Sequence, residues 1–138
     1  MVTNATGLNA RFRETPAVVD IYPTIARHLG LTIPEQVANE LDGVPLTGPI
    51  LVSDLSAVRE GDKISLSWRS YSTGGTGEIW MSPTDNFRTG GTDQYEKLAT
   101  VQLDAGKFEF TPAVSPSFHK FILVAGLQRM NSRVLPSK

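Results

Sequence analysis

The sequence predicts a mainly β fold, an antiparallel sandwich of the immunoglobulin or fibronectin type III kind with about seven strands and a short helical N-terminal segment. From residue 49 onward, apolar and polar residues alternate with the period of two that is typical of half-buried strands. Clusters of Gly, Ser and Thr, such as residues 72–75 and 89–92, separate these runs as turns would. The earlier residues follow a helical period instead. We therefore divide the chain into a helical segment, residues 1–48, and a sandwich domain, residues 49–138.

The helical segment contains two predicted helices. After Asp20, apolar residues recur at a spacing of four until Gly30, so they share one face of a helix that has an N-cap and a glycine stop. These residues are Ile21, Ile25 and Leu29. A second helix is predicted over residues 35–41, where Val37 and Leu41 share a face. Both helices are short and one-sided, so each needs another surface to cover its apolar residues.

Seven alternating runs predict the strands. The five clearest runs carry Ile64, Leu66 and Trp68; Ile79 and Met81; Leu98, Val101 and Leu103; Phe108 and Phe110; and Phe121, Leu123 and Ala125. The third of these runs slips in register at residues 99–100, and residues 52–58 and 133–135 supply the first and last strands. Between its inward residues the fifth run carries Ile122 and Val124, so we expect a central strand that is covered on both faces.

Composition excludes several kinds of function. The net charge is -1 and no block of Lys or Arg occurs, which argues against binding to nucleic acid or to anionic lipid. The sequence has no Cys and two His, which excludes thiolate metal sites, Cys nucleophiles and multi-His metal centres. No apolar run approaches the roughly 18 residues of a membrane-spanning helix, and no secretory signal is visible at the start. We therefore predict no catalytic residue, metal site or cofactor in this chain.

Four local features allow a chemical interpretation and a structural one. His28 is read as a cation near a helix C-terminus and His119 as a polar residue at a strand edge, because neither has a carboxylate or second His at helical spacing. Residues 85–96 place acidic side chains like a calcium loop, but Phe87 occupies a ligand position, so a connection between strands is favoured. Residues 73–77 are predicted to form a hairpin loop rather than a phosphate loop, since no Gly-Lys-Ser/Thr follows.

Three aromatic residues are candidate ligand contacts. Trp80 is out of phase with the inward residues of its strand, and Tyr71 and Tyr95 flank neighbouring runs. Exposed aromatic rings can stack on a sugar or dock a protein. The alternative is that a loop or the helical segment covers Trp80.

Residues 19–31 read Val-Asp-Ile-Tyr-Pro-Thr-Ile-Ala-Arg-His-Leu-Gly-Leu, and residues 42–46 read Asp-Gly-Val-Pro-Leu. This helix, its Leu-Gly stop and the later Asp-Gly loop resemble the end of the catalytic domain in the alkaline phosphatase superfamily, which includes sulfatases and nucleotide pyrophosphatase/phosphodiesterases. The resemblance covers roughly residues 15–48. It implies the C-terminal end of such a hydrolase, followed by an appended sandwich similar to those of bacterial exported hydrolases.

The resemblance also implies where the chemistry lies. In this superfamily Asp and His residues hold two divalent, zinc-like cations, and these ligands and the nucleophile precede the matching helix. Residues 1–19 contain no Asp or His, so the metals are those of the parent enzyme and no catalytic residue carries over. Thr24 matches the helix motif and not the nucleophile. The implied location is the periplasm or the cell exterior.

Two functions follow as hypotheses. The first is a non-catalytic accessory region that supports or positions the catalytic domain of its parent enzyme, which is then its partner. The alternative is a free-standing module that binds a glycan or a protein at the cell surface through Trp80, Tyr71 and Tyr95. If the apolar helix residues stay uncovered, two copies of the chain could also pair through them.

Overall fold

The computed structural model describes residues 6–113 and 118–135. Within these ranges three short α-helices and one 3-10 helix, Val18–Asp20, precede seven strands. The helices are α1 (Ala10–Glu14), α2 (Ile21–His28) and α3 (Glu35–Ala38). The strands are β1 (Val52–Glu60), β2 (Lys63–Ser70), β3 (Thr76–Ser82), β4 (Glu96–Gln102), β5 (Lys107–Phe110), β6 (His119–Ala125) and β7 (Gln128–Val134).

The strands form two antiparallel sheets. One has the order β1-β2-β5 and the other the order β4-β3-β6-β7. In constant-type immunoglobulin domains the fourth strand lies in the same sheet as the first two strands. Here β4 instead pairs with β3, at the sheet edge where variable-type domains have an additional strand. The predicted seven-stranded sandwich with a short helical N-terminal segment is confirmed.

The core lies between the two sheets and is built by the alternating residues. From the first sheet Ile64, Leu66 and Trp68 point inward, and they are buried. From the second sheet the inward residues of β3, β6 and β7 include Ile79, Phe121, Leu123, Ala125 and Met130. Both sheets therefore bury one face, and this burial is the main source of stability of a sandwich.

Several local predictions need correction. The slip in β4 lies one residue earlier, because the pairs Ile79–Ala99 and Trp80–Lys97 leave Leu98 without a partner on β3. Residues 71–75 join β2 to β3, which belong to different sheets, so the predicted hairpin at residues 73–77 is wrong. Helix α3 ends at Ala38, so it is shorter than the helix predicted over residues 35–41.

The helical segment packs on the outer face of the four-stranded sheet. Arg129 of β7 donates a hydrogen bond to Asn39 at 2.9 Å and forms an ion pair with Glu35 at 3.1 Å. Ile122, on the outer face of β6, is consequently only 1% exposed. This confirms that β6 is a central strand covered on both faces, and contacts therefore cross the predicted boundary at residue 48. No helix in the described ranges is long and apolar enough to cross a membrane.

Candidate binding surfaces

Asp20 joins three parts of the helical segment. Its carboxylate is fully buried and accepts hydrogen bonds from the Val44 N–H at 2.8 Å and the Ala17 N–H at 2.8 Å. The same carboxylate pairs with Arg11 at 3.1 Å, and Arg11 also donates to Asp54 of β1 at 2.8 Å. Asp20 precedes α2 as predicted, but its side chain bonds to loops and not to the N–H groups of the helix. These contacts hold residues 11, 17 and 44 together around one carboxylate.

Thr24 and Gly43 make the other close contacts within the motif of residues 19–31 and 42–46. The Thr24 hydroxyl donates to the Asp20 carbonyl at 2.6 Å and accepts from the Leu46 N–H at 2.9 Å. A Cβ at Gly43 would lie 2.0 Å from the Val19 carbonyl oxygen, so only glycine fits there. The Asp-Ile-Tyr-Pro-Thr helix and the Asp-Gly loop therefore form one hydrogen-bonded unit, in which Thr24 is held by two backbone groups.

The large apolar residues of α2 and its flanks face solvent. We call them the exposed helix face: Val18, Ile21, Tyr22, Ile25, Leu29 and Leu31. The buried residues of the helix are instead the small Pro23 and Ala26. The sequence pattern correctly places Ile21, Ile25 and Leu29 on one face, but the covering surface that this face requires is not supplied by the part of the chain that the structure describes.

Two of the three predicted ligand contacts lie together. Trp80 of β3 and Tyr95, which precedes β4, line one groove on the outer face of the four-stranded sheet. Tyr71 lies elsewhere, with its hydroxyl 3.2 Å from Ser53 Oγ and the Arg69 guanidinium 5.6 Å from its ring centre. Tyr71 therefore does not contribute to this groove.

We call this feature the Trp80 groove. It has a volume of about 580 Å³ and runs between the sheet and residues 34–39. Its floor is Ile122 and Val124, and further walls come from Glu78, Gln94 and Arg129. The Trp80 indole N–H donates to Glu78 at 3.2 Å, and the ring is half-buried. The helical segment thus covers Trp80 in part, and the rest of the Trp80 ring is accessible.

A buried ion cluster lies beside the groove and was not predicted. The Lys120 ammonium on the outer face of β6 pairs with Glu40, with Asp93 at 3.0 Å and with Asp85 at 3.4 Å. Burial opposes its charge, but the Glu40 and Asp93 carboxylates raise the pKa of Lys120 above its ordinary value. Burial raises the pKa of the nearby Tyr95 to about 12. A Lys within an otherwise apolar run was the signal in the sequence that could have indicated this cluster.

The same cluster clarifies residues 85–96. They connect β3 to β4, as favoured, with Gly90 in the left-handed region at φ 81°. Burial opposes ionisation of Asp93, but hydrogen bonds from the Asn86 N–H and from Lys120 lower its pKa. The carboxylates of Asp85 and Asp93 thus bind an ammonium ion of the chain itself. Among the described residues, no group of three His, Asp or Glu side chains is placed to hold a metal ion.

The two histidines differ in their surroundings. His28 lies exposed in the last turn of α2, as predicted. His119 is fully buried at the start of β6 and stacks on Phe121 with ring centres 6.1 Å apart, so the expectation of a polar residue at a strand edge is wrong. Its Nδ1 accepts a hydrogen bond from Arg59 at 2.8 Å. Burial and the Arg59 charge lower the pKa of His119.

Comparison with protein-family models and with curated proteins finds no match for this sequence. Among solved structures, the chain is similar to an Fn3-like protein from Clostridium thermocellum, with 17% identity, a TM-score of 0.47 and coverage of 67% of this chain and 97% of that one. It is also similar to pectate lyase Pel3 from Pectobacterium carotovorum, with 15% identity, a TM-score of 0.46 and coverage of 61% of this chain and 26% of that one. A third similar structure is pectate lyase PelI from Erwinia chrysanthemi in complex with tetragalacturonic acid, at 14% identity, a TM-score of 0.40 and coverage of 62% of this chain and 27% of that one. The chain thus spans about a quarter of the two lyases, and these matches carry no information about its function.

Proposed function

We propose that this chain is a non-catalytic C-terminal accessory region of a metal-dependent hydrolase of the alkaline phosphatase type, and that its exposed helix face docks on the catalytic domain of that enzyme. The observation that carries the proposal is the orientation of α2. Ile21, Tyr22 and Ile25 are each 51% exposed, while the residues that the helix buries are small. Helices of folded domains normally direct their large apolar residues toward a core.

The geometry of the face supports a docking role. Ile21, Ile25 and Leu29 follow one another at a spacing of four, so they form a continuous ridge along the helix. Val18 before the helix and Leu31 after it are also exposed, at 83% and 60%. Contiguous exposed apolar surfaces of this kind mark interaction sites in soluble proteins.

The difference between the polar and the apolar residues of the motif supports a catalytic domain as the partner. The polar and small members, Asp20, Thr24 and Gly43, make contacts inside this chain. The large apolar members are half or more exposed in the part of the chain that the structure describes. In a longer polypeptide the helix would be the last layer of the catalytic domain, and its apolar members would complete that core. The divalent cations and the nucleophile would belong to that domain.

The docking proposal is tested in the complete polypeptide that carries an upstream domain. Ile25→Glu is compared with Val58→Glu, because Ile25 and Val58 are about half exposed in this chain. In the chain alone, both variants should change stability by less than about 0.5 kcal/mol, as exposed sites do. In the complete polypeptide, Ile25→Glu should cost about 2–4 kcal/mol, because it places a charge in a buried interface, and Val58→Glu should not.

Three results would contradict the proposal. The first is an upstream coding sequence without in-frame Asp and His metal ligands. The second is equal behaviour of the two variants in the complete polypeptide. The third is a tight dimer of the isolated chain in sedimentation that Ile25→Glu dissolves, because it would assign the face to a second copy.

The absence of catalysis is tested separately. The purified chain should not hydrolyse nitrophenyl phosphate, a phosphodiester or a sulfate ester in the presence of zinc or manganese. Turnover that persists through purification and is lost on substitution of one of its residues would refute the proposal. Asp20→Asn and Thr24→Ala are compared with the parent chain below their melting temperatures, because both residues also make structural hydrogen bonds and a loss of turnover must be separated from unfolding.

A further inference from the structure

We propose that the Trp80 groove binds an uncharged sugar unit of a polysaccharide. This site is independent of the proposed function, because the groove and the exposed helix face share no residue. Its volume of about 580 Å³ falls within the roughly 300–1,000 Å³ of small-molecule sites.

The shape of the groove matches the amphipathic faces of a sugar ring. A pyranose presents apolar C–H groups on its two faces and hydroxyl groups around its edge. The groove offers the Trp80 ring and the Val124 side chain, both partly exposed, for the faces. The exposed Gln94 offers an amide donor and an amide acceptor for the hydroxyl edge. Aromatic rings provide large contact areas of this kind at a low cost in conformational entropy.

The charges of the groove favour a neutral ligand. Each charged side chain that lines it already has a partner of opposite sign. Glu35 pairs with Arg129 at 3.1 Å, Glu78 pairs with Lys97, and Asp93 pairs with Lys120 at 3.0 Å. Three of the four charged side chains that line the groove are carboxylates, so an anionic ligand would be repelled, whereas hydroxyl groups can donate hydrogen bonds to them.

The groove is also prepared before a ligand arrives. The indole N–H of Trp80 is held by Glu78, and the opposite wall at residues 35–39 is held by Arg129 through two contacts. Fixing both walls in advance lowers the entropy that binding would otherwise cost. Tyr71, 9 positions before Trp80 in the sequence, contributes nothing to this arrangement.

Fluorescence gives a direct test in the intact chain. The sequence has two Trp residues, so Trp68→Phe leaves Trp80 as the reporter. We would first screen an array of neutral glucan, xylan, mannan and galactan oligosaccharides together with tetragalacturonic acid. We expect a saturable change in Trp80 emission with at least one neutral oligosaccharide and a weaker response to the uronate.

Calorimetric titration of the oligosaccharide that binds best then locates the site. Trp80→Ala should weaken binding at least about tenfold, and Gln94→Ala, at an exposed position, about threefold. Tyr71→Phe is the matched control and should leave affinity unchanged. The proposal is overturned by the absence of a saturable response to any neutral oligosaccharide. It is also overturned by a response to the uronate alone, or by binding that survives both Trp80→Ala and Gln94→Ala.

Discussion

Replacing Lys120 by methionine tests whether the buried ion cluster holds the helical segment on the sandwich. Methionine keeps most of the length of lysine and removes the charge. The Lys120 side chain is 3% exposed and that of its partner Asp93 is 2% exposed, so the substitution leaves a buried carboxylate without its cation. Breaking a buried pair in this way costs about 3–5 kcal/mol.

The contacts that remain place the expected cost at the lower end of that range. Asp93 keeps hydrogen bonds from the Thr84 hydroxyl at 2.8 Å and the Asn86 N–H at 2.7 Å. Glu40 and Asp85 are partly exposed, so water can hydrate them. We therefore expect a loss of about 3 kcal/mol, which lowers the melting temperature by about 10 °C in a chain of this size.

Thermal and urea unfolding measured by circular dichroism provide the assay. Lys97→Met is the matched control, because Lys97 pairs with Glu78 in an exposed ion pair and should cost about 0–1 kcal/mol. The double variant Lys120→Met/Asp93→Asn should recover part of the loss, since it removes the unpaired charge. A cost for Lys120→Met no larger than that for Lys97→Met would refute this account of the cluster.

Three further predictions concern buried polar groups and one glycine. The pKa of His119 is lowered in the folded chain, so its contribution to stability is complete above the unfolded pKa of about 6.5 and is lost as the pH falls below it. The melting temperature should therefore fall more steeply from pH 7 to 5 in the parent chain than in His119→Gln, and equal slopes in the two proteins would contradict this. Gly43→Ala should cost about 1–3 kcal/mol in urea unfolding, because its methyl group meets a carbonyl oxygen at 2.0 Å, and an unchanged midpoint would contradict this. Asp20→Asn should cost about 2–4 kcal/mol, because Arg11 loses its buried counter-charge; a loss below about 1 kcal/mol in the same assay would count against that role.

The periodicity of the sequence determined the strands and the core. Ile64, Leu66 and Trp68 alternate in the chain and point to the core in the structure. The same reasoning identified β6 as a central strand from Ile122 and Val124. This works because side-chain direction in a strand is fixed by local backbone geometry, which alternates at every residue.

The sites depended on contacts that no local pattern encodes. Trp80 and Tyr95 share a groove, whereas Tyr71 does not, because the pairing of β3 with β4 places the first two on the second sheet. The buried Lys120 pairs with Glu40, which lies 80 positions away in the sequence. The spacing of residues along the sequence does not show which distant residues are close in space.

Helix α2 shows which properties the sequence determines and which only the tertiary structure decides. The spacing of Ile21, Ile25 and Leu29 determined that the helix has one apolar face, since 3.6 residues per turn bring these positions together. Only the tertiary structure decided that this face points to solvent. The hydrogen bonds of Asp20 and Thr24 to the following loop fix the rotation of the helix about its axis, and that rotation turns the small residues inward and the large ones outward.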